Sequence, residues 1–122
     1  MITGFEDITR PLSDDELKIV PVLCNNFKRH DKNNPVKAPV IVTGMNKYLV
    51  QHGYKIRMSQ SRLRKCCNFI RSKGMIPLIA TSNGYYVSYD KEDIANQIKS
   101  LWERAGAIRA CANGLQKFLS TQ

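Results

Sequence analysis

No stretch of this chain stays apolar for the roughly 20 residues that a bilayer crossing requires. Its opening, Met1 to Arg10, lacks the charged and apolar regions of a signal peptide, so a cytoplasmic protein is expected. Cysteine is sparse: the four residues at 24, 66, 67 and 111 form no C-x-x-C pair, and the two histidines, His30 and His52, complete no metal-ligand pattern. Each cysteine falls at or near an apolar helical position, which points to buried, reduced thiols rather than disulfides. No G-x-S-x-G, phosphate-loop or H-E-x-x-H arrangement occurs. The carboxylates gather at expected helix N-termini, where capping and dipole effects account for them. Neither an enzyme, a metal site nor a cofactor is expected.

The most informative absence is that of negative charge. Between residues 32 and 89 there is no Asp or Glu, while Lys32, Lys37, Lys47, Lys55, Arg57, Arg62, Arg64, Lys65, Arg71 and Lys73 all stand there, within a chain of net charge +9. A surface of that sign concentrates polyanions, and release of counterions from neutralised phosphates then supplies affinity independent of sequence.

What is present is one domain's worth of chain: 122 residues, 43% apolar and 24% charged, a balance that supports a folded core. Ser13 and Glu16 form a capping-box pattern ahead of Leu17, Val20, Leu23, Cys24 and Phe27, which predicts a first helix to about His30 with Pro21 as a kink risk. Asp31 to Pro39 carries loop chemistry, Val40 to Val42 is expected as a short strand, and Thr43 as the cap of a second helix from Gly44 to His52, ended by Gly53. After the connector Tyr54 to Met58, Ser59 is expected to cap a third helix whose Leu63, Cys66, Cys67 and Ile70 share a face before Gly74 stops it. Two β-rich runs, Ile76 to Thr81 and Tyr85 to Tyr89, flank Ser82-Asn83-Gly84 and read as a hairpin, with Tyr85 and Tyr86 alternating between core and surface. Asp90 then caps a long helix. The order is that of a mostly α protein with a small β-hairpin wing (α+β), a winged helix-turn-helix with a long C-terminal helix. The domain spans residues 13–89, preceded by an arm of residues 1–12 and followed by residues 90–122.

The third helix has the pattern of a reading head. With Leu63 at the centre of its buried face, Ser61, Arg64, Lys65, Asn68 and Ser72 fall opposite, Arg71 flanks them, and Arg62 lies nearer the core as a phosphate clamp. Arginine can bridge the two acceptors of guanine, asparagine can pair with adenine, and Ser or Lys can hold phosphates. Lys47 and Lys73 extend this candidate DNA face, and Ser82 and Asn83 at the wing tip can approach the backbone or minor groove. Along the last helix Ile94, Ile98, Leu101, Ala105, Ile108, Ala112, Leu115 and Leu119 step by four and three in turn. That heptad seam is a candidate homodimer element, with Gly106 and Asn113-Gly114 set against an uninterrupted helix.

The run Arg62-Leu63-Arg64-Lys65-Cys66-Cys67-Asn68-Phe69-Ile70-Arg71, then Gly74-Met75-Ile76-Pro77, Gly84-Tyr85-Tyr86 and the helix from Asp93 to Arg109 resembles small winged-helix proteins encoded by phages and prophages. The resemblance spans Ser13 to Leu115. It implies double-stranded DNA binding, sequence-specific or semi-specific, in phage transcription regulation or replication, in the host cytoplasm. It marks Arg62, Arg64, Lys65, Asn68 and Arg71 as the DNA face and Gly84-Tyr85-Tyr86 as wing structure. The rival expectation is a non-enzymatic interaction module, its winged helix and C-terminal helix docking on a replication or virion protein. Salt separates the two, because DNA binding weakens steeply as salt rises and an apolar seam persists.

Overall fold

Ser13 opens the first helix, α1 (Asp14–Phe27), by a reciprocal cap: its hydroxyl accepts from the Glu16 N–H at 3.2 Å while its own N–H donates to the Glu16 carboxylate at 2.9 Å. The structure, a computed structural model, describes residues 10–119, so residues 1–9 of the expected arm lie outside the described residues. Helix α1 ends at Phe27, one turn short of the expected His30, and runs through Pro21. That residue sits on the exposed side, where solvent can replace the hydrogen bond its missing N–H leaves unmade.

The second helix differs from the pattern its sequence suggests. Helix α2 is Ala38–Gln51, so Val40 to Val42 are helical and no strand forms there. Pro39 lies in the first turn, where its absent N–H costs nothing and its fixed φ favours the helix. Thr43 is therefore an interior residue rather than a cap, and its hydroxyl donates to the Pro39 carbonyl one turn back. Strand-like pairing does occur between α1 and α2, but at Val36.

Both of the next stops are as the glycines predict. Gly53 (φ 74°) ends α2 with Tyr54 N–H donating to the Leu49 carbonyl at 2.9 Å, and Gly74 (φ 61°) ends α3 (Gln60–Ser72) with Met75 N–H donating to the Ile70 carbonyl at 3.0 Å. Each is a six-to-one closure that satisfies a terminal carbonyl and turns the chain sharply. Ser59 caps α3 by accepting from the Arg62 N–H.

The hairpin follows as β1 (Leu78–Thr81) and β2 (Gly84–Val87), antiparallel, with Leu78 opposite Val87 and Thr81 opposite Gly84. Ser82 and Asn83 make the turn with negative φ, so the left-handed burden falls on Gly84 (φ 125°). The Thr81 hydroxyl closes the tip, donating to the Gly84 carbonyl and accepting from the Asn83 N–H. Val36 pairs with Tyr85 on the far edge of β2: Tyr85 N–H donates to Val36 O at 2.7 Å and Val36 N–H to Tyr85 O at 2.9 Å. Tyr85 is half-buried and Tyr86 buried, so neither is the freely exposed member of the expected alternation.

Ile19, Leu23 and Phe27 of α1, Ile41, Met45 and Leu49 of α2, Leu63, Cys66 and Ile70 of α3, and Leu78 and Val87 of the hairpin form one buried cluster. Each such apolar side chain adds about 1.5–3 kcal/mol of transfer free energy, so the three helices and hairpin stabilise one another. The chain divides into two compact units, one up to Ser88 and one from Tyr89. The second consists of α4 (Lys91–Gln116) and a 3-10 turn (Lys117–Leu119). Asp90 caps α4 by accepting from the Glu92 and Asp93 N–H groups, and the helix passes through Gly106 and Gly114 without a break. The architecture is α+β: mostly helical, with one small antiparallel sheet.

A Cβ on Gly84 would stand 2.5 Å from the Val36 carbonyl oxygen and 2.6 Å from its carbon, backbone atoms that cannot swing away. A Cβ on Gly53 would meet nothing within 4 Å. Gly84→Ala is therefore expected to cost more than about 2 kcal/mol in urea unfolding, whereas Gly53→Ala, paying only for its backbone conformation, costs about 1 kcal/mol. Equal losses would show that the Val36 approach does not constrain the hairpin.

Candidate nucleic-acid interface

Helix α3 presents two faces. Leu63, Cys66, Cys67 and Ile70 are buried, and opposite them Ser61, Arg64, Asn68 and Ser72 are exposed, the disposition that helical spacing implied. Lys73, at the helix C-cap, is exposed with its ammonium 5.9 Å from the centre of the Phe69 ring. Lys47 is exposed on α2, and Ser82 and Asn83 are exposed at the hairpin turn.

Arg62 and Lys65 are differently placed. The Arg62 Nε donates to Glu16 Oε2 at 2.9 Å, its Nη1 donates to the Arg57 carbonyl at 2.6 Å, and the Lys65 ammonium donates to Glu16 Oε1 at 2.7 Å. Glu16 is buried, so α1 places a carboxylate under two of the ten cations counted as uncompensated along the sequence. Linear spacing could not show this, because the acid lies 46 residues before Arg62. Burial pushes the Glu16 carboxyl up, and that is the largest single influence. The combined pull of Lys65, the Ser13 N–H and Arg62 outweighs it and holds the group at about 2 instead of 4.5.

Arg71 is half-buried, and its Nε is enclosed without a hydrogen-bond partner. It lies near enough to Cys67 and Tyr85 for its charge to favour their ionised forms. Burial dominates at both thiols in the core of α3: Cys66 is pushed up to about 11 and Cys67 to about 12, values at which neither is a nucleophile near neutrality. Cys24 is buried as well, but Cys111 is exposed, against the expectation that every cysteine would be enclosed. Its apolar neighbours in sequence lie along a helix with no buried face.

The connector from α2 to α3, residues 52–59, is held by a residue that no sequence motif singles out. The Asn46 side chain accepts from the Met58 N–H at 2.6 Å and donates to the Met58 carbonyl at 3.0 Å, pairing with that backbone as a neighbouring strand would. The Arg57 guanidinium donates to the Tyr54 and Ile56 carbonyls. These bonds set the entry into α3 just before Ser59 caps it. An asparagine at an ordinary helical position carries no sequence signal of such a role, since its partner is known only once the chain has turned back.

The charge is unevenly shared. In residues 10–88 the acids are Asp14, Asp15, Glu16 and Asp31, so α2, α3 and the hairpin contribute none. From residue 90 onward Asp90, Glu92, Asp93 and Glu103 nearly balance Lys91, Lys99, Arg104, Arg109 and Lys117. The positive excess therefore belongs to the first unit. Among the described residues no three His, Cys, Asp or Glu side chains are grouped to hold a metal ion, and no helix is long and apolar enough to cross a membrane.

No protein-family model, curated protein or solved structure matches the chain.

Because the Glu16 carboxyl titrates lower in the folded chain than in the unfolded one, its contribution is complete above about pH 4.5 and drains away as pH falls towards about 2. The loss over that window is expected to be about 3 kcal/mol in urea unfolding. Glu16→Gln should flatten the profile there and lower stability at neutral pH. A native profile as flat as the variant's would show that the pair with Arg62 and Lys65 does not stabilise the fold. Asn46→Ala, which strips both partners from the Met58 backbone, is expected to cost about 1–3 kcal/mol by the same measurement.

Proposed function

We propose that the first unit is a winged helix-turn-helix domain that binds double-stranded DNA, with α3 in the major groove. The observation that carries the reading is the outer face of α3: Ser61, Arg64, Asn68 and Ser72 exposed on one side, Lys73 at its end, and no carboxylate on the helix. Arg64 supplies a bidentate donor for guanine, Asn68 the donor and acceptor that match adenine, and the serines and Lys73 groups for phosphate. The order of elements supports it. A bridging residue between the first two helices, Val36, joins the edge of the hairpin that follows α3, so the hairpin is tied to the same core that anchors the helix. Ser82 and Asn83 then serve as the wing tip.

On this reading Arg62 and Lys65 act chiefly through the fold. Their cationic ends are committed to Glu16, which orients α3 and leaves Arg64, Asn68 and Lys73 as the groups that meet the ligand. The setting implied by the phage and prophage resemblance is transcriptional control or replication.

Fluorescence anisotropy with a random-sequence duplex at about 50 and about 200 mM salt tests the proposal. The native chain is expected to bind with a steep salt dependence, and Arg64→Ala with Lys73→Ala to lower affinity and make the logarithmic slope shallower by about 0.9 for each phosphate contact removed. Asn68→Ala is expected to relax discrimination among selected sites by about 1–3 kcal/mol at one base pair. If the double variant keeps its circular dichroism spectrum and binds with the native slope, α3 is not the DNA face.

A further inference from the structure

Helix α4 is apolar along one stripe, and none of its residues is fully buried. Ile98, Leu101, Ile108 and Leu115 are exposed by 49, 39, 44 and 69%. A stripe at alternating steps of three and four over a 26-residue helix, about 39 Å long, is the geometry of a coiled-coil seam. We propose that it is covered by α4 of a second copy of this chain, running antiparallel.

The orientation follows from the sizes and charges along the seam. In heptad notation the d positions are Ile94, Leu101, Ile108 and Leu115, and the a positions after Ile98 are Ala105 and Ala112. A parallel, in-register pair sets a against a. Ala105 would then face its own copy, as would Ala112, leaving thin layers between thick ones. It also brings each g residue to the e residue five further along the partner, so Arg104 of one chain would meet Arg109 of the other, a like-charge pair on both sides of the dimer.

An antiparallel pair sets a against d and removes both defects in one register. Ala105 meets Ile108 of the other copy, Ala112 meets Leu101, and Ile98 meets Leu115, each small residue facing a large one. Along the flanks e faces e and g faces g. Trp102 then lies beside Arg109 of the other copy, a cation over an exposed indole, and Arg104 lies beside Cys111 instead of a second arginine. The two antiparallel registers one heptad away bring either Arg104 or Arg109 onto its own copy and are disfavoured by the same repulsion. In the favoured register the layers run from residue 98 to residue 115 of each copy, so the pairing uses most of the 26-residue helix. This inference concerns α4 alone and does not depend on what α3 binds.

Sedimentation equilibrium of the full chain at tens of micromolar is expected to return twice the 13.9 kDa chain mass, and Leu101→Glu with Ile108→Glu to return a single chain with the circular dichroism of the first unit retained. Orientation is read by thiol cross-linking with a short bismaleimide. Of the native cysteines only Cys111 is exposed, so Arg104→Cys is expected to yield a covalent dimer whose linked peptides join residues 104 and 111 of different chains. Gln116→Cys, which would lie beside Cys111 in a parallel pair, is expected to yield none. A native chain that sediments as a monomer overturns the proposal and assigns the seam to a different protein. A dimer that survives the double glutamate variant, or one cross-linked between residues 111 and 116, overturns it too.

Discussion

A buried carboxylate that touches two helices and a cap organises the first unit. Glu16 completes the start of α1 through Ser13 and, with the same side chain, holds Arg62 and Lys65 of α3. Enclosing a charge costs free energy unless it is paired and hydrogen-bonded, and here three donors converge on two oxygens. Without them the carboxylate would be a liability at the junction of α1 and α3. With them it fixes the rotation of α3 about its own axis, because Arg62 and Lys65 lie within one turn and must both reach the same point. The burial of Leu63, Cys66, Cys67 and Ile70 sets the same rotation, and together they put Arg64 and Asn68 outward.

The remaining constraints are local and meet at α3 from both ends. At its start, Ser59 caps the helix and the Asn46 amide holds Met58, so the chain enters from a fixed position. At its end, Gly74 turns the chain towards β1, and Gly84 lets the second strand pass against the backbone of Val36. The hairpin is thus tied to the segment between α1 and α2. A two-stranded hairpin by itself is marginal in water, and the bridge at Val36 together with burial of Leu78 and Val87 supplies what it lacks.

Much of this architecture is legible in the order of residues alone. Ser13 with Glu16, Ser59, Gly53, Gly74 and Asp90 are signals whose partners lie within four or five residues, and each acts where spacing places it. The apolar positions of α3 have helical spacing, and the face opposite them follows by geometry. Residues 38–43 mislead because two local rules conflict there. A β-branched run after a proline reads as a strand, but the same proline is a good first-turn residue, and the burial of Ile41 and Met45 in the core cluster decides for the helix. The expected burial of every cysteine fails at Cys111, since helical periodicity marks a stripe as apolar without saying that anything covers it.

What the sequence by itself determined is what depends on near neighbours: where α1, α3 and α4 start, where α2 and α3 stop, which face of α3 is apolar, where the hairpin turns, and that residues 32–89 carry positive charge without acid. What only the tertiary structure decided is which of those charges are open to a ligand and which are consumed by the fold. Glu16 reaches Arg62 and Lys65 across dozens of residues, and Asn46 reaches Met58 across a turn, because chain reversal rather than spacing brings them together. Coulombic and hydrogen-bonding partners are chosen by distance in space, and distance along the chain does not fix it.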